Sequence, residues 1–295
     1  MTIATRPRAQ ALTAAVESLG AVDAPAAAVA KQVRGLLGPG ALKDALSGTW
    51  LGHPVHPPLT DVPIGAWTSA TILDLVGGSE SRTAAERLIC VGIASAVPTA
   101  LTGMVEYADS EPGHDEVRRA GALHALANVT ALSLYSASLV ARRRGSHGSG
   151  VLLGLAGAGA LTAGGWLGGV LAFHRGVGVD ETAFDEGPQD WTPVLDASML
   201  GDDRPMAAMA GDVEIMVIRR DGALHALADR CNHRGGPLHE GDLVGGCIEC
   251  PWHGSRFRLD DGSVERGPAA YPQPVYEARE HEGRIEVRPA AAPAW

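Results

Sequence analysis

Residues 151–173 run for 23 positions without one ionisable side chain, and three further stretches of similar character precede them. Residues 62–78 carry only Asp74, near their end. Residues 88–105 carry no charge and include Pro98, and residues 120–141 are uncharged apart from His124. Crossing a bilayer takes about 20 mostly apolar residues in a helix. A soluble helix of that length would instead show an apolar stripe and a polar face. Short polar links separate the four stretches, so they predict an up-down four-helix transmembrane bundle, with the first stretch the weakest.

The chain changes character after this region. Residues 1–179 hold 13 Lys/Arg and 12 Asp/Glu, whereas residues 180–295 hold 11 and 22. A near-neutral apolar half joined to an acidic half predicts a multi-domain membrane protein with a separate soluble domain. An acidic surface also excludes nucleic acid as a partner, because phosphate binding needs a basic face. Ahead of the bundle, the first twenty residues are basic but lack the apolar core of a cleavable signal. Residues 10–46 read as one or two weak amphipathic helices lying on the membrane surface. The domains are therefore expected at 1–47, 48–180 and 190–290.

Ionisable groups inside a membrane are expensive and draw attention to themselves. His53 and His56 stand in His53-Pro54-Val55-His56-Pro57-Pro58, where the prolines favour extended or polyproline geometry that would put both imidazoles on one face. His124 and Asn128 share a face of the third helix, and His174 closes the fourth. The ordinary reading is hydrogen-bonded packing; the sharper one is haem b or quinone held between helices, with His124 and one of His53, His56 or His174 as axial ligands. Gly164–Gly168 and Gly165–Gly169 each read GxxxG, a spacing that lets helices approach closely. Through Gly52-His53-Pro54-Val55-His56-Pro57-Pro58-Leu59, Pro63-Ile64-Gly65, Asp74 and the glycine-rich run 168–179, this half resembles an uncharacterised bacterial family of four-helix membrane domains. That resemblance implies no activity.

Four cysteines in 295 residues do not make a disulfide framework. Cys90 sits alone in an apolar run and reads as a small buried hydrophobe. The other three cluster beside histidines. Cys231-Asn232-His233 is followed by Cys250-Pro251-Trp252-His253, a C-x-H-x16-C-x2-H spacing. Two thiolates and two imidazoles, one of each per short loop, make Cys231, His233, Cys250 and His253 a candidate metal-ligating set. Two Cys and two His also suit tetrahedral zinc, although zinc sites favour C-x2–4-C pairs, and Cys247-x2-Cys250 supplies one. Cys247 reads as a structural thiol, and His239 as a surface residue.

The two boxes Cys231-Asn232-His233-Arg234-Gly235-Gly236-Pro237-Leu238 and Cys250-Pro251-Trp252-His253-Gly254-Ser255-Arg256-Phe257, with Gly267-Pro268 after them, resemble the Rieske [2Fe–2S] ferredoxin-type domain. The resemblance implies a 2Fe–2S cofactor and a small all-β antiparallel sandwich carrying it on two loops. The Asp221-Gly222 and Asp261-Gly262 turns agree, since such dipeptides mark tight hairpins. High-potential Rieske proteins add a loop-to-loop disulfide and a tyrosine hydroxyl near the sulfurs; here Gly236, Trp252 and Phe257 stand at those places, while Ser255 is retained. Fewer donors leave the reduced centre less stabilised, so the potential is expected at about −150 to 0 mV.

The whole chain thus reads as a multi-pass cell-membrane protein that transfers single electrons to or from a partner protein or quinone. It reads as a carrier or complex subunit more than a stand-alone enzyme. The alternative is a membrane oxidoreductase whose bundle binds haem or quinone. Arg142, Arg143 and Arg144, between the third and fourth helices, place that loop in the cytoplasm and the Rieske-like domain outside.

Overall fold

The computed structural model describes residues 8–290. They form two compact units, one comprising residues up to Leu37 with Val55–Val177, the other Gly38–Pro54 with the chain from Gly178. This division differs from the sequence boundaries: the residues up to Leu37 join the helical unit, and residues 38–54 group with the C-terminal unit.

The first unit is helical. Helices α1 (Arg8–Glu17) and α2 (Asp23–Leu36) precede α4 (His56–Val76), α5 (Arg82–Ser110), α6 (Asp115–Arg143) and α7 (His147–Gly169), while α3 (Ala41–Ser47) belongs to the second unit. Among the described residues α5, α6 and α7 are long and apolar enough to cross a membrane, and α1 with α2 passes only as one span bent by 42°. α4 has the length, but Asp61 and Asp74 dilute its apolar run. The helices interlock through glycines that admit neighbouring rings. Trp67 on α4 stacks on Tyr135 of α6 with centroids 4.5 Å apart, and a methyl at Gly92 would lie 2.2 Å from the Trp67 ring. The two GxxxG pairs divide: Gly164 and Gly168 receive Asn128 and His124, whereas Gly165 has nothing within 4 Å.

α1 and α2 dock on the other helices: Val16 packs with Ala120 and Leu167, and Ala30 and Val33 pack with Ala108. Arg119 adds a two-point ion pair to Asp23 at 2.9 and 2.7 Å. Small alanine faces make this close docking possible. One expectation needs correction: the His-Pro segment does not form a polyproline turn at His56. Val55 is helical and His56 opens α4, because prolines are tolerated in a first turn where no N–H bond is due.

The second unit is built on antiparallel strands: β1 (Thr192–Asp196), β2 (Met206–Ala210), β3 (Val213–Arg220), β4 (Ala223–Ala228), β5 (Asp242–Val244), β6 (Cys247–Glu249), β7 (Arg256–Arg258), β8 (Val264–Arg266), β9 (Val275–His281) and β10 (Arg284–Pro289). One sheet runs β1-β10-β9-β4-β3-β2 and the other β5-β6-β7-β8. Asp221 and Gly222 close the β3–β4 hairpin with φ of +50° and +78°, as a two-residue turn of this hand requires. β3 is apolar on both faces because it serves two cores: Ile215 and Val217 join Ile285 and Val287, while Met216 and Ile218 join Leu238, Ile248 and Phe257. Cys231 and Cys250 belong to this second core.

Candidate metal centre

Two short loops with the same construction carry the chemistry. The first follows β4, and the second links β6 to β7. In the first, Gly235 N–H donates to Cys231 O at 2.7 Å; in the second, Gly254 N–H donates to Cys250 O at 3.1 Å. Each loop closes through a glycine in the left-handed region, φ +74° at Gly235 and +77° at Gly254, which costs glycine little and other residues more. Each cysteine is thereby folded back under its own loop, and the histidine two or three residues on is brought to the same side.

Cys231 and Cys250 are 1 % and 3 % exposed, and their thiols are hydrogen-bonded to one another. Donation from Cys231, with the N–H groups of Trp252 and His253 acting against burial, brings Cys250 down to about 7. The same bond, with burial, raises Cys231, whose sulfur also receives the N–H groups of His233 and Arg234. The imidazoles of His233 and His253 meet edge to face, centroids 5.1 Å apart. Burial, then the charges of Arg234, His253 and Lys43, push His233 well below its ordinary value, so it stands neutral. Trp252 is 54 % exposed and meets the His253 ring at 6.3 Å.

This donor set fits a two-iron cluster: two thiols, two imidazoles and four backbone N–H groups aimed at sulfur. Among the described residues no three His, Cys, Asp or Glu side chains gather as one ion would need.

Residues beyond the sequence reading hold the loops. Gln273, 1 % exposed, donates to Ala228 O and Arg230 O at 2.8 and 2.7 Å and accepts from Asn232 N–H at 3.1 Å. Asn232 donates to Tyr271 O and Pro272 O at 2.8 and 2.9 Å. Ser255 Oγ accepts Ala269 N–H at 3.0 Å. The first ligand loop, the second, and the stretch from Gly267 to Gln273 are therefore one hydrogen-bonded assembly. The only sequence signal for it is the amide placed between two prolines, Pro272-Gln273-Pro274.

Other candidates fall elsewhere. Cys247 is buried and donates to Glu265 Oε2 at 2.9 Å; burial, that bond and the Glu265 charge push it up to about 11. His239 is not a free surface residue: its ring and its N–H both bind the buried Asp229 carboxylate at 2.7 Å. Gly236 and Trp252 do come together, and a methyl at Gly236 would lie 2.9 Å from Cys250 Sγ and 3.0 Å from the indole.

In the helical unit, His56 and His124 are brought within 6.5 Å. Each Nδ1 faces a backbone carbonyl, Thr99 O at 3.0 Å and Gly164 O at 2.8 Å. A carbonyl only accepts, so both are Nδ1–H tautomers with the lone pair on Nε2, where His124 meets the Asn128 amide at 3.2 Å. His53 and His174 are exposed.

Comparison with known proteins agrees with both halves. Residues 190–277 match the family described as Rieske [2Fe-2S] domain, and residues 52–181 match that described as Predicted membrane protein (DUF2231). Over 98 residues the chain is 34 % identical to the anthranilate 1,2-dioxygenase ferredoxin subunit of Burkholderia cepacia, covering 33 % of this chain and 91 % of that protein. It is 34 % identical over 88 residues to the cytochrome b6-f complex iron-sulfur subunit 1 of a Synechocystis strain, covering 28 % of this chain and 47 % of that one. A solved ferredoxin of carbazole 1,9a-dioxygenase from Nocardioides aromaticivorans aligns at 26 % identity and TM-score 0.33, over 35 % of this chain and all of that one.

Proposed function

We propose that this chain, which belongs to the Rieske [2Fe-2S] family through its C-terminal domain and carries a DUF2231 domain ahead of it, is a membrane-anchored carrier of single electrons. Cys231 and Cys250 would hold one iron, and His233 and His253 the other. The cluster supplies the one-electron chemistry when bound. The observation that carries the reading is the pair of matched loops presenting two buried thiols and two adjoining imidazoles. The four N–H groups on the sulfurs favour the added negative charge of the reduced state. The exposed Trp252 beside His253 makes that edge the door for electrons. Both curated relatives are, by their names, subunits of larger redox systems, which supports a partner protein or quinone here. The test is EPR of the reduced full chain, expected to show an average g below that of an all-cysteine cluster. A zinc content of one per chain with no such signal would overturn it.

The distribution of arginines supports an outward-facing Rieske domain. The turns after α4 and α6 lie at one end, where Arg143 pairs with Glu86 at 3.2 Å, and that end carries Arg82, Arg87 and Arg142–Arg144. The opposite end carries Arg118 and Arg119 beside the turn between α5 and α6, with Arg34 paired to Glu111 and Arg175 paired to Glu17. The arginine-rich end is assigned to the cytoplasm, and the chain leaves α7 at the other end, outside.

The His56–His124 pair favours a second reading, a membrane oxidoreductase whose bundle holds haem b or quinone and exchanges electrons with the Rieske domain. Two imidazoles with oriented Nε2 lone pairs suit an axial pair or a quinol hydroxyl. A Soret band in the purified protein would support haem there. Its absence from iron-replete cells, with no quinone extracted, returns both residues to packing.

A further inference from the structure

We infer that residues Gly38–Pro54 cap the cluster-binding loops of their own chain, and that Lys43 in this cap raises the reduction potential of the centre those loops hold. The inference rests on the Rieske reading above and concerns a segment far ahead of the matched Rieske residues 190–277. Within the second unit, the cap meets bare backbone at two glycines. A methyl at Gly254, in the second ligand loop, would lie 2.9 Å from Pro39 Cγ; one at Gly267 would lie 2.1 Å from Thr49 Oγ1 and 3.0 Å from Asp44 Oδ1. The Arg266 charge and Gly267 N–H also act on the Asp44 carboxylate, against its burial. Pro39 lies just ahead of α3, four residues before Lys43, and Asp44 follows Lys43 directly, so in the chain Lys43 sits between the two contacts.

The polarity of α3 is reversed for a packing helix. Lys43 and Ser47, one turn apart on the same face, are 5 % and 2 % exposed, whereas Leu42 is 63 % exposed and Trp50, just beyond the helix, 69 %. Hydrophobic burial would select the opposite arrangement. A buried ammonium is costly unless negative charge answers it; the Asp44 carboxylate is one such charge, and the reduced centre would add another. With neutral imidazoles, two ferric ions, two sulfides and two thiolates sum to zero, and one added electron makes the total minus one. A cation buried in a cap that meets the second ligand loop at Gly254 therefore favours the reduced form. Its charge is felt at His233. Being buried, it is screened little by salt.

The test is an EPR-monitored redox titration of the full chain in lipid nanodiscs. Lys43→Gln should lower the midpoint, changing the reduced-to-oxidised ratio at fixed potential by about tenfold, or about 59 mV for one electron. Lys43→Arg should restore the wild-type value, and Lys43→Glu should lower it further, all with unchanged g values. Lys31→Gln, at the chain's other lysine, which is exposed, should change nothing. If the Gln variant assembles no centre, Lys43→Met provides the same comparison. A wild-type midpoint in the neutral variants, or an equal fall in Lys31→Gln, overturns the inference. Absence of a Rieske signal from the wild-type protein would instead sink the cluster reading.

Discussion

Arg142 on α6 grips Asp74 on α4 through both guanidinium arms, at 2.8 and 2.5 Å, with the two side chains 2 % and 5 % exposed. Ser138 Oγ accepts a third bond from Arg142 Nε at 3.1 Å. The aspartate that weakens the apolar run of α4 is thus the counter-charge for an arginine of another helix. Breaking one side of such a pair leaves an unanswered buried charge. Asp74→Ala should destabilise the helical unit by about 3–5 kcal/mol, whereas the double change Asp74→Leu with Arg142→Met should come close to neutral. Denaturant titration in detergent reads both, and a fully stable single variant would refute the pairing as a structural tie.

The ligand set makes a sharp prediction. His253→Ala should abolish the Rieske EPR signal, and Cys247→Ala should keep it, because Cys247 is occupied with Glu265. Loss of the centre in the Cys247 variant would overturn the assignment.

Cys247 also sets an alkaline limit. Its folded value of about 11 lies above its ordinary 9.0. The stabilisation is therefore complete below about pH 9 and disappears as pH rises through about 11, an effect of up to about 3 kcal/mol. Chemical denaturation across that window should show wild type losing stability relative to Cys247→Ala. Parallel curves would exclude the effect.

Gly236→Ala should damage cluster assembly, since its methyl would press on Cys250 Sγ at 2.9 Å. Iron content per chain should fall well below wild type while the β-sheet circular dichroism persists. Full iron loading would show that the loop yields there.

Fusions at Trp295 decide the membrane side. Phosphatase activity without cytoplasmic fluorescence is expected; the reverse pattern would make the outward orientation wrong.

The two ligand loops were legible because all their determinants are local: Cys231 to Gly235 and Cys250 to Gly254 each fix a loop within five residues. The β3–β4 hairpin was legible for the same reason, through Asp221-Gly222. Helix ends were less so. α5 runs from Arg82 to Ser110, well past the apolar run 88–105, because polar turns continue a helix once its core is set. What sequence could not reveal depends on distant partners. Gln273 bonds to carbonyls more than forty residues away, and His56 meets His124 only because their helices are neighbours. The seating of α3 was hidden by its reversed polarity, since reading its apolar face as the inward one points the wrong way.

The carboxamides of Asn232 and Gln273 tie the first ligand loop to the stretch before β9, and Ser255 ties the second ligand loop to the same stretch. Their bonds run to backbone groups, so nothing in the network changes protonation when an electron arrives. Such a scaffold has little to rearrange between redox states. In the proposed carrier the barrier to electron transfer then falls mainly on the solvent and on the partner, and turnover should be governed by how closely a partner approaches the proposed exit at His253.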